Sequence, residues 1–231
     1  MSRVILELKK VNCFYPMKGD LPFQAVKDVS LNVFEGEILG LMGESGSGKS
    51  TLAKAMLGTF VGCQGTIVYK DQNIYEKNWR KNKIKPIQMV MQDSKSSMNP
   101  RMTLFESMEE PLLLVGVKDP LKRQAKVKGI CKLVGLDLST ASKLPGECSG
   151  GQRQRANIGR SLVLSPELLL LDEPVSSLDA SIQAQIINLL RKISKETNTA
   201  MVFISHDEKL LNYLCHRILV MDQGKISNLE N

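Results

Sequence analysis

The chain lacks the long apolar run, the cleavable leader and the paired cysteines that would mark a membrane span, an exported protein or a metal cluster. No stretch of its 231 residues approaches the roughly 20 apolar residues of a membrane-spanning helix, although 42% are hydrophobic. The opening Met1-Ser2-Arg3-Val4-Ile5-Leu6-Glu7 carries charge inside its first apolar run and shows no cleavage pattern, so it does not read as a signal peptide. Cys13, Cys63, Cys131, Cys148 and Cys215 are scattered, odd in number and free of any C-x-x-C pair. They suit a reducing compartment and argue against a zinc or iron–sulfur site. Internal repeats, low-complexity tracts and long linkers are also missing, which leaves one substantial core, or one core with an inserted subdomain. The expected place is the cytosol, with the membrane reached only through partners.

What the chain does have is glycine in a meaningful order. Gly43-Glu44-Ser45-Gly46-Ser47-Gly48-Lys49-Ser50-Thr51 fits the G-x-x-G-x-G-K-[ST] phosphate loop. The apolar run Ile38-Leu39-Gly40-Leu41-Met42 supplies the strand before it. A helix is expected from about Lys49 through Leu52, Ala55 and Met56, ending at Gly58. The three glycines let the backbone turn its N–H groups toward phosphates, and the helix N-terminus adds its positive end. Lys49 is placed to reach the β- and γ-phosphates, and the Ser50 hydroxyl to meet Mg²⁺.

Leu168-Leu169-Leu170-Leu171 reads as a strand buried on both faces of a parallel sheet, and Asp172-Glu173 stands at its end. Asp172 suits Mg²⁺ held through water, and Glu173 suits orienting or deprotonating an attacking water. Ser149-Gly150-Gly151-Gln152 opens a further helix, continued by Ile158, Leu162 and Val163 and closed by Ser165-Pro166. A serine and two glycines at a helix start expose a second set of backbone N–H groups. One chain with one phosphate loop has no evident need of two anion sites, so the second is expected to cover the γ-phosphate held by another subunit.

Taken in order, these motifs identify a resemblance, over nearly the whole chain, to the nucleotide-binding subunits of ABC transporters. In that family's pattern Gly43 to Thr51 matches the phosphate loop, and Gln92 in Val90-Met91-Gln92-Asp93 matches the Q-loop. Ser149 to Gln152 matches the signature, Asp172-Glu173 the Walker B pair, and Ser177-Leu178-Asp179 the D-loop. His206 in Ile204-Ser205-His206-Asp207 matches the switch histidine, and Tyr15 the aromatic that stacks on adenine, with Phe14 as its competitor. The resemblance implies Glu173 and His206 as catalytic, Asp179 as part of the nucleotide site, and Ser50, Gln92 and Asp172 as the Mg²⁺ ligands. His216, in Cys215-His216-Arg217, has no such context and reads as structural. Two positions depart from the pattern: Cys148 stands where leucine is usual, and Ser94 where proline often follows the Q-loop.

The fold this implies is α/β, a P-loop NTPase of ABC type: a mixed central sheet, an N-terminal antiparallel β subdomain and an inserted helical subdomain. One domain is expected over 1–231, with 1–92 and 161–231 forming the core plus the β subdomain and 93–160 the helical, signature-bearing part. Val4 to Leu8 and Val29 to Val33 alternate as antiparallel strands should, and Gly65 to Tyr69 forms a further β segment. Helix breaks are expected at Pro111, Pro120 and Pro145-Gly146, and an amphipathic helix from Ser181 to Ser194. Ile218 to Ser227 reads as strand–turn–strand. The net charge of +7 concentrates in Lys77 to Lys85, around Trp79. That run is expected to be exposed, reading as a solvated or lipid-headgroup-facing surface rather than a nucleic-acid site.

A narrower resemblance lies in Ser96-Ser97-Met98-Asn99-Pro100-Arg101-Met102-Thr103-Leu104. It is similar to the segment after the Q-loop in ATPases that energise import of oligopeptides, dipeptides and nickel or metal–chelate complexes. The expected partners are a second, non-identical ABC ATPase, two transmembrane permease subunits and, indirectly, an extracellular solute-binding protein, with no nucleic acid. The end at Asn231, short of an extension common in peptide-importing relatives, tilts the expectation toward nickel or metallophore. The alternatives are a soluble ABC-type ATPase of ribosomes or nucleic acid, and the ATPase of an exporter.

Overall fold

The computed structural model describes residues 3–17, 19, 21–81, 86–92 and 97–228. Lys83, Lys85, Asp93, Ser94 and Ser96, which figured in the basic run and the segment after Gln92, lie outside them. The chain divides into two compact units, one of Met1–Asn82 with Asn198–Asn231 and one of Lys83–Thr197. Together they carry an antiparallel sheet, a mixed sheet and helices, the α/β class expected.

In the first unit, β1 (Val4–Tyr15) pairs antiparallel with β2 (Phe23–Phe34). The helix α1 (Lys49–Met56) leaves the end of β3 (Ile38–Met42) through the glycine-rich loop. Beyond it, β4 (Cys63–Tyr69) pairs antiparallel with β1, and the short β5 (Gln72–Asn73) pairs with β4. Leu6 and Leu8 of β1, and Val11 and Cys13 after the register shift that lies between Lys9 and Asn12, are at most 1% exposed, each pair spaced by the two residues that one buried sheet face requires. A short helix α2 (Lys77–Lys81) closes this stretch.

The second unit begins with β6 (Ile87–Val90), which pairs in parallel with β7 (Leu168–Asp172). Between these strands run α3 (Leu104–Leu114), α4 (Pro120–Val134), the single turn α5 (Leu138–Ala141) and α6 (Gly150–Leu162). After β7 comes α7 (Ala180–Thr197), which buries Ile186, Ile187, Leu189, Leu190 and Ile193 on one face. All four leucines of β7 are 0% exposed, as their unbroken apolar run required.

The chain then re-enters the first unit. There β8 (Ala200–Ser205) pairs in parallel with β3. After α8 (Glu208–Leu214), β9 (Arg217–Asp222) pairs in parallel with β3 on its other side, and β10 (Lys225–Asn228) returns antiparallel on β9. Met201, Val202, Phe203 and Ile204 of β8 are fully buried, each contributing about 1.5–3 kcal/mol of transfer free energy. His216 Nδ1 accepts the Ile38 N–H at 2.9 Å, so its role is structural: it ties the start of β9 to the start of β3.

Two expectations fail. Pro111 does not break its helix: α3 runs through it, and the Val115 N–H still donates to the Pro111 carbonyl. Proline removes one hydrogen bond at a cost of roughly 3 kcal/mol. Burial of Leu104, Met108 and Leu112 offsets this at about 1.5–3 kcal/mol each, and Thr103 with Glu106 closes a capping box at the helix start. Trp79 is not on an exposed surface. It is 3% exposed with its ring 5.4 Å from that of Tyr69, while Lys77 and Lys81 on either side face solvent. The indole carries more apolar area than any other side chain of the run, so it is the one turned inward.

Candidate functional site

Gly48 precedes the first residue of α1 with φ 109°, and a Cβ there would sit 2.4 Å from the Ala25 carbonyl oxygen. Only glycine meets both demands. It also offers no side chain to cap α1. The first-turn N–H groups are therefore left for an acceptor that is not part of the cap, which is how a helix start receives an anion. At the other end of the loop, a Cβ on Gly43 would meet the Met221 carbonyl at 2.3 Å and Ser47 Oγ at 2.7 Å. Lys49 is 6% exposed, and its ammonium donates to the Gly43 carbonyl at 2.8 Å and the Glu44 carbonyl at 2.6 Å. The charge is thus held over the mouth of the loop while Glu44, Ser45, Gly46 and Ser50 stay exposed.

Tyr15 ends β1 and comes to this loop. Its hydroxyl lies 3.1 Å from Thr51 Oγ1, and its ring meets Phe60 edge-on at 5.0 Å between centroids. The residue is 38% exposed. His206 reaches the same edge by another route. Met42 and Ser205 are paired in the β3–β8 register, so Gly43 and His206 leave neighbouring parallel strands together. His206 is exposed, and Asp207 beyond it caps α8 by accepting the Leu210 N–H at 3.1 Å.

The second unit gathers the other candidates in two places. Val90 pairs with Leu171, so Gln92 and Asp172-Glu173 emerge at the same end of the parallel pair β6–β7. Asp172 is 8% exposed and Gln92 is exposed. Glu173 takes φ 45°, a left-handed conformation unusual for a residue with a side chain and costing roughly 1–3 kcal/mol. Its carbonyl accepts both the N–H and the hydroxyl of Ser176, which hold the turn.

The second place is the start of α6. Ser149 and Gln152 form a reciprocal capping box: the Gln152 N–H donates to Ser149 Oγ at 3.2 Å, and the Ser149 N–H to Gln152 Oε1 at 2.9 Å. Cys148 is buried at 6% exposure, filling an apolar position. The D-loop lies against this turn: Cβ atoms on Gly150 and Gly151 would stand 3.1 Å from Leu178 and 2.7 Å from Ile182. Asp179 caps α7, accepting the Ile182 N–H at 3.0 Å, and Gln183 donates to the carbonyls of Val175 and Leu178.

Sequence reasoning placed Thr51 in the phosphate loop but missed its bond to Tyr15, and it missed Phe60 beside Tyr15 and the packing of Ile182 and Gln183 around the signature turn. Only the run of small residues at Gly150-Gly151 hinted that something packs closely there. For a metal, Ser50, Gln92 and Asp172 offer hydroxyl, amide and carboxylate oxygens, hard donors that fit Mg²⁺ rather than a soft ion. No group of three or more His, Cys, Asp or Glu side chains with metal-binding geometry occurs among the described residues.

A family model described as ABC transporter matches residues 26–176. The oligopeptide transport ATP-binding protein AppF of Bacillus subtilis is 42% identical, over 99% of this chain and 72% of that protein. Oligopeptide transport ATP-binding protein OppF of Haemophilus influenzae is 37% identical over the same shares. Among solved structures, a dimeric ATP-binding cassette in a post-hydrolysis state with ADP and Pi superposes with TM-score 0.84 at 28% identity, covering 98% of this chain and all of that one. The protein cbiO1 of Clostridium perfringens, part of an ABC transporter complex, gives TM-score 0.84 at 25% identity, over 97% of this chain and 87% of that one.

Proposed function

Since the chain belongs to the ABC transporter family and is an ATPase of that family, we propose that it energises an importer of oligopeptides from the cytoplasmic face of a membrane. The observation that carries this reading is the likeness along almost the whole chain to oligopeptide transport ATP-binding proteins. The nickel alternative, which the segment after Gln92 shares with peptide import, gains no support from these relatives. Neither does a soluble ribosome- or nucleic-acid-linked ATPase.

The working unit we propose is one ABC domain paired with a second, non-identical ATPase subunit, on two transmembrane permease subunits fed by a solute-binding protein. ATP lies on Gly43 to Thr51 of one subunit, its adenine on Tyr15, while Ser149 to Gln152 and Asp179 of the other subunit complete the pocket. Lys49 and the first-turn N–H groups of α1 hold the phosphates in line for attack. Ser50, Gln92 and Asp172 hold Mg²⁺, which when bound neutralises charge on the phosphates. Glu173, at the end of β7, orients and deprotonates the water. His206 contacts the γ-phosphate. Closure works by positioning rather than by covalent chemistry.

Isolation of the chain from native membranes, followed by identification of what comes with it, tests this. Permease subunits and a second ATPase, with ATP turnover stimulated by a peptide-loaded binding protein, are expected. Ribosomes or nucleic acid in place of permeases would replace the proposal with the soluble reading, and stimulation by a nickel-loaded receptor would replace peptide with metal.

A further inference from the structure

Two of the five cysteines that the sequence leaves scattered are brought face to face. Cys13 of β1 and Cys63 of β4 are directly opposed in the antiparallel register, with Sγ atoms 3.8 Å apart. Next to them the Phe14 N–H donates to the Gly62 carbonyl at 3.1 Å. Because the pattern alternates, Cys13 and Cys63 occupy a non-hydrogen-bonded position, where side chains approach most closely and Cα atoms stand about 4.5 Å apart. Disulfides span about 4.4–6.8 Å between Cα atoms, so the bond fits this ladder without unpairing it.

The two thiols differ as an attacking and a resolving thiol should. Cys63 is partly exposed, beside the exposed Val61, Gly62 and Gln64. It accepts the Cys13 S–H, and with the Tyr75 side chain this lowers its thiol to about 7, where much of it is thiolate at neutral pH. Cys13 is 0% exposed and raised, first by donating to Cys63 and then by burial. By contrast, burial pushes Cys215 up to about 12, and Cys131 and Cys148 are also raised by burial.

We propose that Cys13 and Cys63 are a redox-active dithiol that a low-molecular-weight disulfide closes to a cross-strand disulfide, and that closure displaces Tyr15 at the phosphate-loop edge. The Cys63 thiolate attacks one sulfur of the oxidant and expels a thiolate. Cys13 then attacks Cys63 Sγ, its proton passing to the second thiolate as that thiolate leaves. In net balance one S–S bond forms in the protein, one is lost from the oxidant, and two electrons pass from protein to oxidant. Closure must bring the sulfurs from 3.8 Å to about 2.05 Å. Tyr15 lies two residues beyond Cys13 on the same strand end, and its partner Phe60 lies three residues before Cys63. The new bond therefore joins the two segments that carry these rings. This second half rests on Tyr15 being the adenine platform; the dithiol itself does not.

Full-length protein is treated with oxidised glutathione, alkylated with iodoacetamide and mapped by mass spectrometry. The expected result is a Cys13–Cys63 cross-link reversed by dithiothreitol, with Cys131, Cys148 and Cys215 left as free thiols that are alkylated once the chain is unfolded. C63S gives no cross-link, and C13S stops as a mixed glutathione disulfide on Cys63. A chain that stays fully reduced, or that cross-links other cysteines, overturns the dithiol. The oxidised wild type is expected to bind ATP several-fold more weakly, recovering with reductant, while C63S is indifferent to oxidant. Unchanged affinity in fully cross-linked protein overturns the displacement of Tyr15. Reduced Y15A tells the two failures apart, because normal ATP affinity there removes the platform role whatever the cysteines do.

Discussion

Tyr15 Oη lies 3.1 Å from Thr51 Oγ1, so the aromatic at the end of β1 is tied to the helix that follows the phosphate loop. A residue contributed by the antiparallel sheet thereby shares one rigid frame with the residues meant for the phosphates. The bond holds the ring from its polar end, and the ring packs against that of Phe60 in a T-shaped arrangement.

Removing the ring should cost what a base–aromatic stack contributes, about 1–3 kcal/mol. Y15A is therefore expected to weaken ATP binding roughly 5- to 150-fold in a calorimetric titration. Y15F keeps the face and loses only the hydrogen bond, about 0.5–1.5 kcal/mol. Equal affinity in Y15A and wild type would hand the role to Phe14 or to no aromatic at all.

Glu173→Gln keeps shape and loses the base. Turnover is expected to fall about 10²- to 10⁴-fold while ATP still binds, so that gel filtration of the variant with its partner ATPase and ATP shows a persistent dimer. Wild-type turnover in this variant would remove Glu173 from catalysis.

Lys49→Ala removes the buried ammonium now held by the Gly43 and Glu44 carbonyls. Nucleotide titration should show affinity lost before any assay of turnover is run. Binding at full strength would mean that the loop cradles phosphate through its backbone alone.

Gly151→Ala drives a methyl to 2.7 Å from the Ile182 side chain, the tightest contact at the signature turn. The variant is expected to bind ATP on its intact phosphate loop yet hydrolyse it poorly, because the signature helix shifts on α7. Ser149→Ala separately removes a helix cap, worth about 1 kcal/mol of stability in a denaturant titration. Full hydrolysis by both variants would place the γ-phosphate contact elsewhere.

Cys63 reacts with alkylating agents only as the thiolate. Its acid form dominates below its lowered value, so the alkylation rate is expected to be slow at pH 5 and to level off above an inflection near pH 7. Cys215, pushed up to about 12, should stay unreactive across that whole range. A Cys63 inflection at the ordinary thiol value, well above neutral, would show that Cys13 and Tyr75 do not stabilise the thiolate.

Much of the chemistry was legible because it is written in backbone requirements. Gly48 must turn at φ 109° under the Ala25 carbonyl, and no other residue can, so the loop shows itself in the order of its glycines. The leucines of β7 and the run Met201 to Ile204 of β8 announce buried strands by having no polar alternation, and both are buried as read. Trp79 misled because the lysines around it share a segment with it but not a face. Pro111 misled because a local penalty was weighed without the burial of Leu104, Met108 and Leu112 that offsets it.

By itself, then, the order of residues determined which groups can curl around phosphate, which carboxylate stands at a strand end and which family the chain resembles. These depend on neighbours a few positions apart and on local torsions. Only the tertiary structure decided that Tyr15 meets Thr51, that Ile182 covers Gly151 and that Cys13 opposes Cys63. Each is a meeting of distant segments, and the last depends on a register shift between Lys9 and Asn12 of β1. A slip of one residue there would turn Cys13 to the other face of the sheet, and no local pattern records which register the whole fold selects.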